Sequence, residues 1–245
     1  MKGSTGVLYL VATPIGNLAD ITFRAVEILR DVDFVICEDS RRSGMLLKHL
    51  EIKKPLRTYH DHTSKTKEES IIRELKGGAR AAYITDAGTP LISDPGFALV
   101  RDALQADVRI ESIPGPAAFV NALIVSGLPT HAFTFVAYLP QKDKARQDVL
   151  KKLADEKRTL IFYESPYRIL KTLRNMLDIF GDREASVSRE MTKKFEETVR
   201  GRLFEILSYF EKKKILGEWV IVVAGQGSAE KHSDNLEGFQ DESEV

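Results

Sequence analysis

The sequence predicts an α/β protein made of two open α/β domains with mostly parallel sheets and a ligand cleft between them. Three observations carry this. Short β-rich runs alternate with helical patterns along most of the chain, as strand–helix–strand units require. Runs such as LIFY (160–163) and WVIVVA (219–224) are apolar at consecutive positions, the pattern of strands covered on both faces. About five strand candidates precede the Pro/Gly turn at 114–118 and four follow it, which suits two sheets better than one. A cleft between domains is a common ligand site.

In chain order the first domain offers strands at 7–12, 33–37, 56–60, 80–85 and 108–113. The helices between them fall at 23–31, 43–50, 67–76 and 97–106, the first of them preceded by the N-cap types Asp20 and Thr22. The second domain offers helices at 117–126, 147–155, 167–180 and 203–212, with strands at 133–139, 159–163, 185–188 and 219–223. Ile169, Leu170, Leu173 and Leu177 show the three- and four-residue spacing of a core-facing stripe. The domains are read as 1–115 and 116–225. Residues 226–245 are read as an acidic, disordered tail, too polar to bury a core.

Composition narrows the function classes. Hydrophobic residues make up 43% of 245, enough for a real core. The single Cys37 excludes an intramolecular disulfide and a cysteine zinc cage, and fits a reduced, cytoplasmic setting. The apolar run at 7–12 is far short of a membrane span, and no signal-peptide core is visible, so no membrane partner is expected. Net charge is zero, but residues 230–245 hold six acids and one base, leaving 35 basic against 30 acidic residues in the rest. A nucleic-acid ligand would therefore need local basic patches.

Candidate chemistry clusters where strands end, the edge at which open α/β sheets place ligands. VATPIGNL (11–18) follows the first strand and lacks the dinucleotide glycine fingerprint. TDAGTPLISDPG (85–96) holds two Gly, two Pro and two Asp in twelve residues, more restriction than a plain connection needs. IPGPAA (113–118) leads a strand into a helix whose first N–H groups suit a carboxylate, or makes a tight interdomain turn. EDSRR (38–42) and YHDH (59–62) offer Arg41, Arg42, Tyr59, His60 and His62 for phosphate contact and base stacking; His-x-His alone is a weak metal signal, and no metal is expected. YESPYR (163–168) and REMTKKFEE (189–197) cap strands of the second domain.

In this order, with SGLPT, RGRL and the closing GEWVIVVAG strand, these segments resemble the ribosomal RNA small-subunit methyltransferase I family, the ribose 2′-O cytidine methyltransferases of the tetrapyrrole methylase superfamily. The resemblance runs from residue 8 to about 225. It implies a tetrapyrrole methylase-like fold with S-adenosylmethionine in the interdomain cleft, a cytoplasmic homodimer, and a decoding-region cytidine of 16S RNA, in free RNA or the 30S particle, as target. Carried over by motif, it implies cofactor contacts from Ile15, Gly88, Thr89, Pro90, Ile92, Ala117, Ala118, Tyr163 and Met191. The family usually has Ser where Ala117 stands, and glycine where Ala137 stands in an FxGFLP segment.

A ribose hydroxyl must lose a proton to attack a methyl group, so a general base is expected. Glu190, His60, Glu164 and a neutral Lys193 all remain open for that role. A neutral lysine would need burial or nearby cations, for which Lys194 and Arg189 are at hand. Arg41, Arg42, Lys193 and Lys194 are read as phosphate contacts. Two other readings stay open: the same fold acting on a tetrapyrrole or other small molecule, and an RNA-binding or ribosome-assembly protein without catalysis.

Overall fold

The computed structural model describes residues 6–60 and 63–227. The tail call therefore lies almost wholly outside the described residues, as do Asp61 and His62. The chain divides into two compact units, Met1–Ala117 and Ala118–Val245.

The first unit runs β1 (Val7–Val11), α1 (Phe23–Asp31), β2 (Phe34–Cys37), α2 (Ser40–His49), β3 (Leu56–Thr58), α3 (Lys65–Lys76), β4 (Arg80–Ile84), α4 (Phe97–Gln105) and β5 (Arg109–Ile113). Its five strands lie in the order β3-β2-β4-β1-β5, and every pair is parallel. Side chains alternate between two cores, because successive strand residues point to opposite faces. Tyr9, Val11, Val35 and Ile84 pack with Ala25, Leu29 and Leu47 of α1 and α2. Leu8, Phe34, Ile36 and Tyr83 pack with Ile71, Leu75, Leu99 and Ala103 of α3 and α4. Covering both faces is why these strands read as continuous apolar runs. The Thr22 hydroxyl caps α1 by accepting from Ala25 N–H at 3.2 Å.

The second unit runs α5 (Ala118–Ile124), β6 (Phe133–Tyr138), α6 (Asp143–Lys152), β7 (Thr159–Glu164), α7 (Ile169–Phe180), β8 (Glu184–Arg189), β9 (Glu197–Arg202), α8 (Leu203–Phe210) and β10 (Trp219–Val223). The sheet order is β6-β7-β10-β8-β9. Only β6 and β7 pair in parallel; β10 runs against both β7 and β8, and β9 runs against β8. This sheet is mixed where the sequence suggested mostly parallel strands. An apolar strand covered on both faces carries no signal of direction, so the helix alternation was read correctly and the insertion of β10 was not legible. The strand β9 was also missed: ETVRGR sits at the sheet edge, half-exposed and charged, as edge strands commonly are. Leu150, Phe162, Leu173, Phe210 and Ile221 anchor the core of this unit.

Candidate functional site

Three connections meet at the C-terminal edge of the first sheet. They leave β4, β1 and β5, which are neighbours, so they start side by side. Thr13 N–H donates to Gly88 O at 2.9 Å, and Gly88 N–H donates back to Thr13 O at 3.0 Å. The buried Thr13 hydroxyl donates to the Thr85 carbonyl at 3.2 Å. The Thr89 hydroxyl donates to the Pro116 carbonyl at 3.0 Å, tying in the third connection. Gly88 has φ of +86°, and a Cβ on it would lie 3.3 Å from Ile15 Cγ2 and 3.8 Å from Pro116 O. A Cβ on Gly115 would lie 2.9 Å from that of Ala12. Glycine is thus what lets the three backbones approach. Ile15, Gly88, Thr89 and Pro90 lie together at this junction; Ile92 sits on the same loop, 38% exposed.

The 85–96 loop is fixed in shape. Leu91 and Ser93 hold φ of 70° and 65°, a region that costs an L-residue about 1–2 kcal/mol. At its far end the Tyr83 hydroxyl donates to the Pro95 carbonyl at 2.7 Å. Gly96, at φ +121°, packs so closely on the Tyr83 ring that a Cβ there would clash.

Carboxylates gather beside this loop. Asp39 N–H donates to Asp86 Oδ1 at 3.3 Å, and Arg42 pairs with Asp86 at 3.1 Å. Arg41 pairs with Asp39 at 3.1 Å, and its guanidinium and backbone N–H hold that carboxyl below the usual range. Asp94 goes the other way. Burial pushes it up to about 6; the Thr85 contact opposes this, and the negative charges of Glu38 and Asp86 add to it. Asp94 was not singled out from sequence. The signal was present, since it is the second acid of a loop already marked by its Gly and Pro content.

The remaining candidates of this unit separate by exposure. Arg41 and Arg42 lie exposed in the first turn of α2. Tyr59 does not fit the stacking role given to it. Its ring is 2% exposed in the core, edge-on to Tyr83, and its hydroxyl donates to Glu68 Oε2 at 2.5 Å. The reason is position: Tyr59 still follows the strand register, with its N–H donating to Cys37 O at 2.8 Å. His60, next along, is exposed, and its Nδ1 lies 3.4 Å from the Thr63 hydroxyl.

In the second unit, Glu164 and Arg189 flank Trp219 across β10, so the two charged motifs leave the same sheet edge. Tyr163 packs edge-on to Phe135, with centroids 5.1 Å apart, and its hydroxyl accepts from Phe119 N–H at 3.3 Å. One of the α5 N–H groups expected to face a carboxylate is therefore occupied. Ala117 and Ala118 are half-buried at the start of that helix.

Glu164 is buried with both oxygens engaged. Oε1 accepts from Ser165 N–H and pairs with Arg168, each at 2.7 Å, and Oε2 accepts from the Thr172 hydroxyl at 2.6 Å. Such a carboxylate holds β7 to α7 and has both oxygens already occupied. Glu190 and Lys193 form an ion pair at 2.9 Å, and Glu218 meets Lys193 at 2.9 Å as well. Burial works against the charged form of each. For Glu190, Lys193 and the Glu218 N–H outweigh it and keep the carboxyl below its ordinary value. For Lys193, the two carboxylates outweigh it and keep the ammonium above its ordinary value. The neutral form that Lys193 would need as one of the four candidate bases is disfavoured here, because its close partners are acids. Met191 is buried between Glu190 and Thr192, both in the left-handed region at φ of 49° and 64°. Lys194 is exposed, its Nζ 5.7 Å from the Phe195 ring centroid.

Known proteins share this architecture. The tetrapyrrole (corrin/porphyrin) methylase family model matches residues 7–207. The ribosomal RNA small subunit methyltransferase I of Thermotoga maritima is 46% identical over 221 residues, covering 90% of this chain and 99% of that one. The protein of the same name from Haemophilus influenzae is 45% identical over 238 residues, covering 96% and 84%. Among solved structures, a uroporphyrin-III-C-methyltransferase from Thermus thermophilus superposes with a TM-score of 0.60 at 20% identity, covering 90% of this chain and 92% of that one, a likeness of fold. With both the family model and relatives of this similarity spanning most of its length, the chain belongs to the ribosomal RNA small subunit methyltransferase I family of the tetrapyrrole methylases.

Proposed function

We propose that the chain transfers a methyl group from S-adenosylmethionine to the 2′-hydroxyl of a cytidine ribose in the decoding region of small-subunit ribosomal RNA. The observation that carries this is the joining of the three Gly/Pro connections by the Thr13–Gly88 and Thr89–Pro116 bonds, in a chain 46% identical to a methyltransferase of that name. The donor supplies an activated methyl group on a sulfonium. The residues fit it: Ile15 and Pro90 offer apolar contact, the 85–96 backbone offers polar groups in a fixed shape, and the neighbouring carboxylates favour a cation. Tyr163, Met191, Ala117 and Ala118 are assigned to the donor by family resemblance.

The chain's own part in the reaction is to fix the donor and to take a proton from the ribose. Pre-positioning supplies up to about 7–11 kcal/mol in favourable systems. Of the four bases read from sequence, Glu164, Glu190 and Lys193 are committed to ion pairs. His60 remains, and Asp94, held up at about 6, joins it. Arg41, Arg42 and Lys194 are exposed cations suited to phosphate. A homodimer in the cytoplasm completes the reading.

The test is incubation of the purified chain with labelled S-adenosylmethionine and small subunits from cells lacking the gene, followed by mapping of methylated riboses. Label on one cytidine 2′-oxygen supports the reading; label on a base, on a corrin precursor or nowhere overturns it. In the same assay His60→Ala and Asp94→Asn separate the two bases: the true one lowers turnover about 10²–10⁴-fold and removes the acid limb of the pH–rate profile.

A further inference from the structure

We propose that the outer face of α2, together with the lysine-rimmed cavity at its far end, is a second RNA contact, holding single-stranded RNA that flanks the methylated nucleotide. The inference rests on the proposed function. α2 starts at the sheet edge that carries the cofactor loop and runs back to the opposite edge. Its exposed positions 41, 45 and 48 follow helical spacing and form one stripe: Arg41, the 66% exposed Met45, and Lys48. From Arg41 to Lys48 the stripe climbs about 10 Å at 1.5 Å per residue.

There it meets a cavity of about 720 Å³ lined by Lys48, Lys53 and Lys54 and walled by Leu47, Ile52 and Pro55. Among the described residues none of these lysines has an ion pair, whereas Arg41 and Arg42 at the other end are paired with Asp39 and Asp86. The one acid in the lining is Glu51. Three ammonium groups, outnumbering the one carboxylate around an apolar wall, match a strand that offers phosphates and the flat faces of its sugars and bases. Continuity with Arg41 gives the strand a path from the cavity toward the reacting ribose.

The experiment compares the full chain with a Lys48→Gln, Lys53→Gln, Lys54→Gln variant. Binding to a small-subunit RNA fragment is measured at several salt concentrations, with S-adenosylmethionine affinity by calorimetry and association state by sedimentation. A matched control carries Lys151→Gln and Lys152→Gln on α6. The proposal expects the slope of log K against log salt to become shallower by about 2, at about 0.7 per phosphate for single strands, with donor affinity unchanged and the control close to wild type. An unchanged slope in the triple variant, or an equal fall in the control, overturns it while leaving the methyltransferase reading intact. A changed association state with an unchanged slope assigns the face to a second copy of the chain and also overturns it. Failure of the unsubstituted chain to bind or methylate the RNA sinks the functional reading, and this inference with it.

Discussion

At the scale of single residues, Ala137 stands out. It sits at the bulge where β6 shifts register against β7 and holds φ of 62°, which a side chain disfavours. An alanine there costs about 1–2 kcal/mol relative to an unstrained position, and glycine gives back part of that through backbone entropy. Ala137→Gly is expected to stabilise the protein by about 0.5–1 kcal/mol, read as a rise in urea midpoint with unchanged slope. Asp94 supplies a pH dependence. Its folded value, about 6, exceeds the ordinary 3.8, so folding favours its protonated form. The stability it contributes is full below 3.8 and is lost as pH rises through about 6. Asp94→Asn should flatten that slope and recover about 1–2 kcal/mol at pH 7.5, allowing for partial exposure; an identical pH–stability curve would contradict the assignment.

At the scale of elements, the tie between β7 and α7 is a buried ion pair. Glu164 has no exposed side-chain surface and Arg168 is 18% exposed. Removing one partner strands a charge, so Glu164→Ala should cost about 3–5 kcal/mol in chemical denaturation. A variant that keeps full stability but loses turnover would instead restore Glu164 as a catalytic candidate. The loop at 85–96 makes a different test. Gly96→Ala places a Cβ against Tyr83 at φ of +121°, so it should weaken donor binding by distorting the loop while distant helices stay intact by circular dichroism. Much at this scale was legible in the sequence. Periodicity and apolar runs located all eight α-helices and nine of the ten strands among the described residues, because amphipathic stripes and doubly buried strands write themselves into composition. Gly and Pro marked the three loops that meet. Pairing was not legible: Tyr59 and His60 are adjacent and similarly polar, and only strand register decides that one is buried and the other exposed. Nor could Lys193 be seen to lie between Glu190 and Glu218, since Glu218 is 25 residues away in sequence.

At the scale of the whole molecule, the first unit contains only parallel neighbours joined through helices, and the second inserts its last strand, β10, into the middle of its sheet. Trp219–Val223 bonds to β7 on one side and β8 on the other, and all five residues are buried. Cutting the chain before 219 should therefore abolish cooperative unfolding of the second unit, and differential scanning calorimetry of a 1–217 fragment should retain only the transition of the first. During synthesis the same arrangement sets an order of events. The first 117 residues can close their sheet while the remainder is still being made, but the second unit has a gap at the centre of its sheet until Trp219–Val223 has been made. Nascent chains stalled shortly after residue 200 should show protease resistance for the early half alone. The second unit would thus complete its fold only once its central strand has emerged from the ribosome.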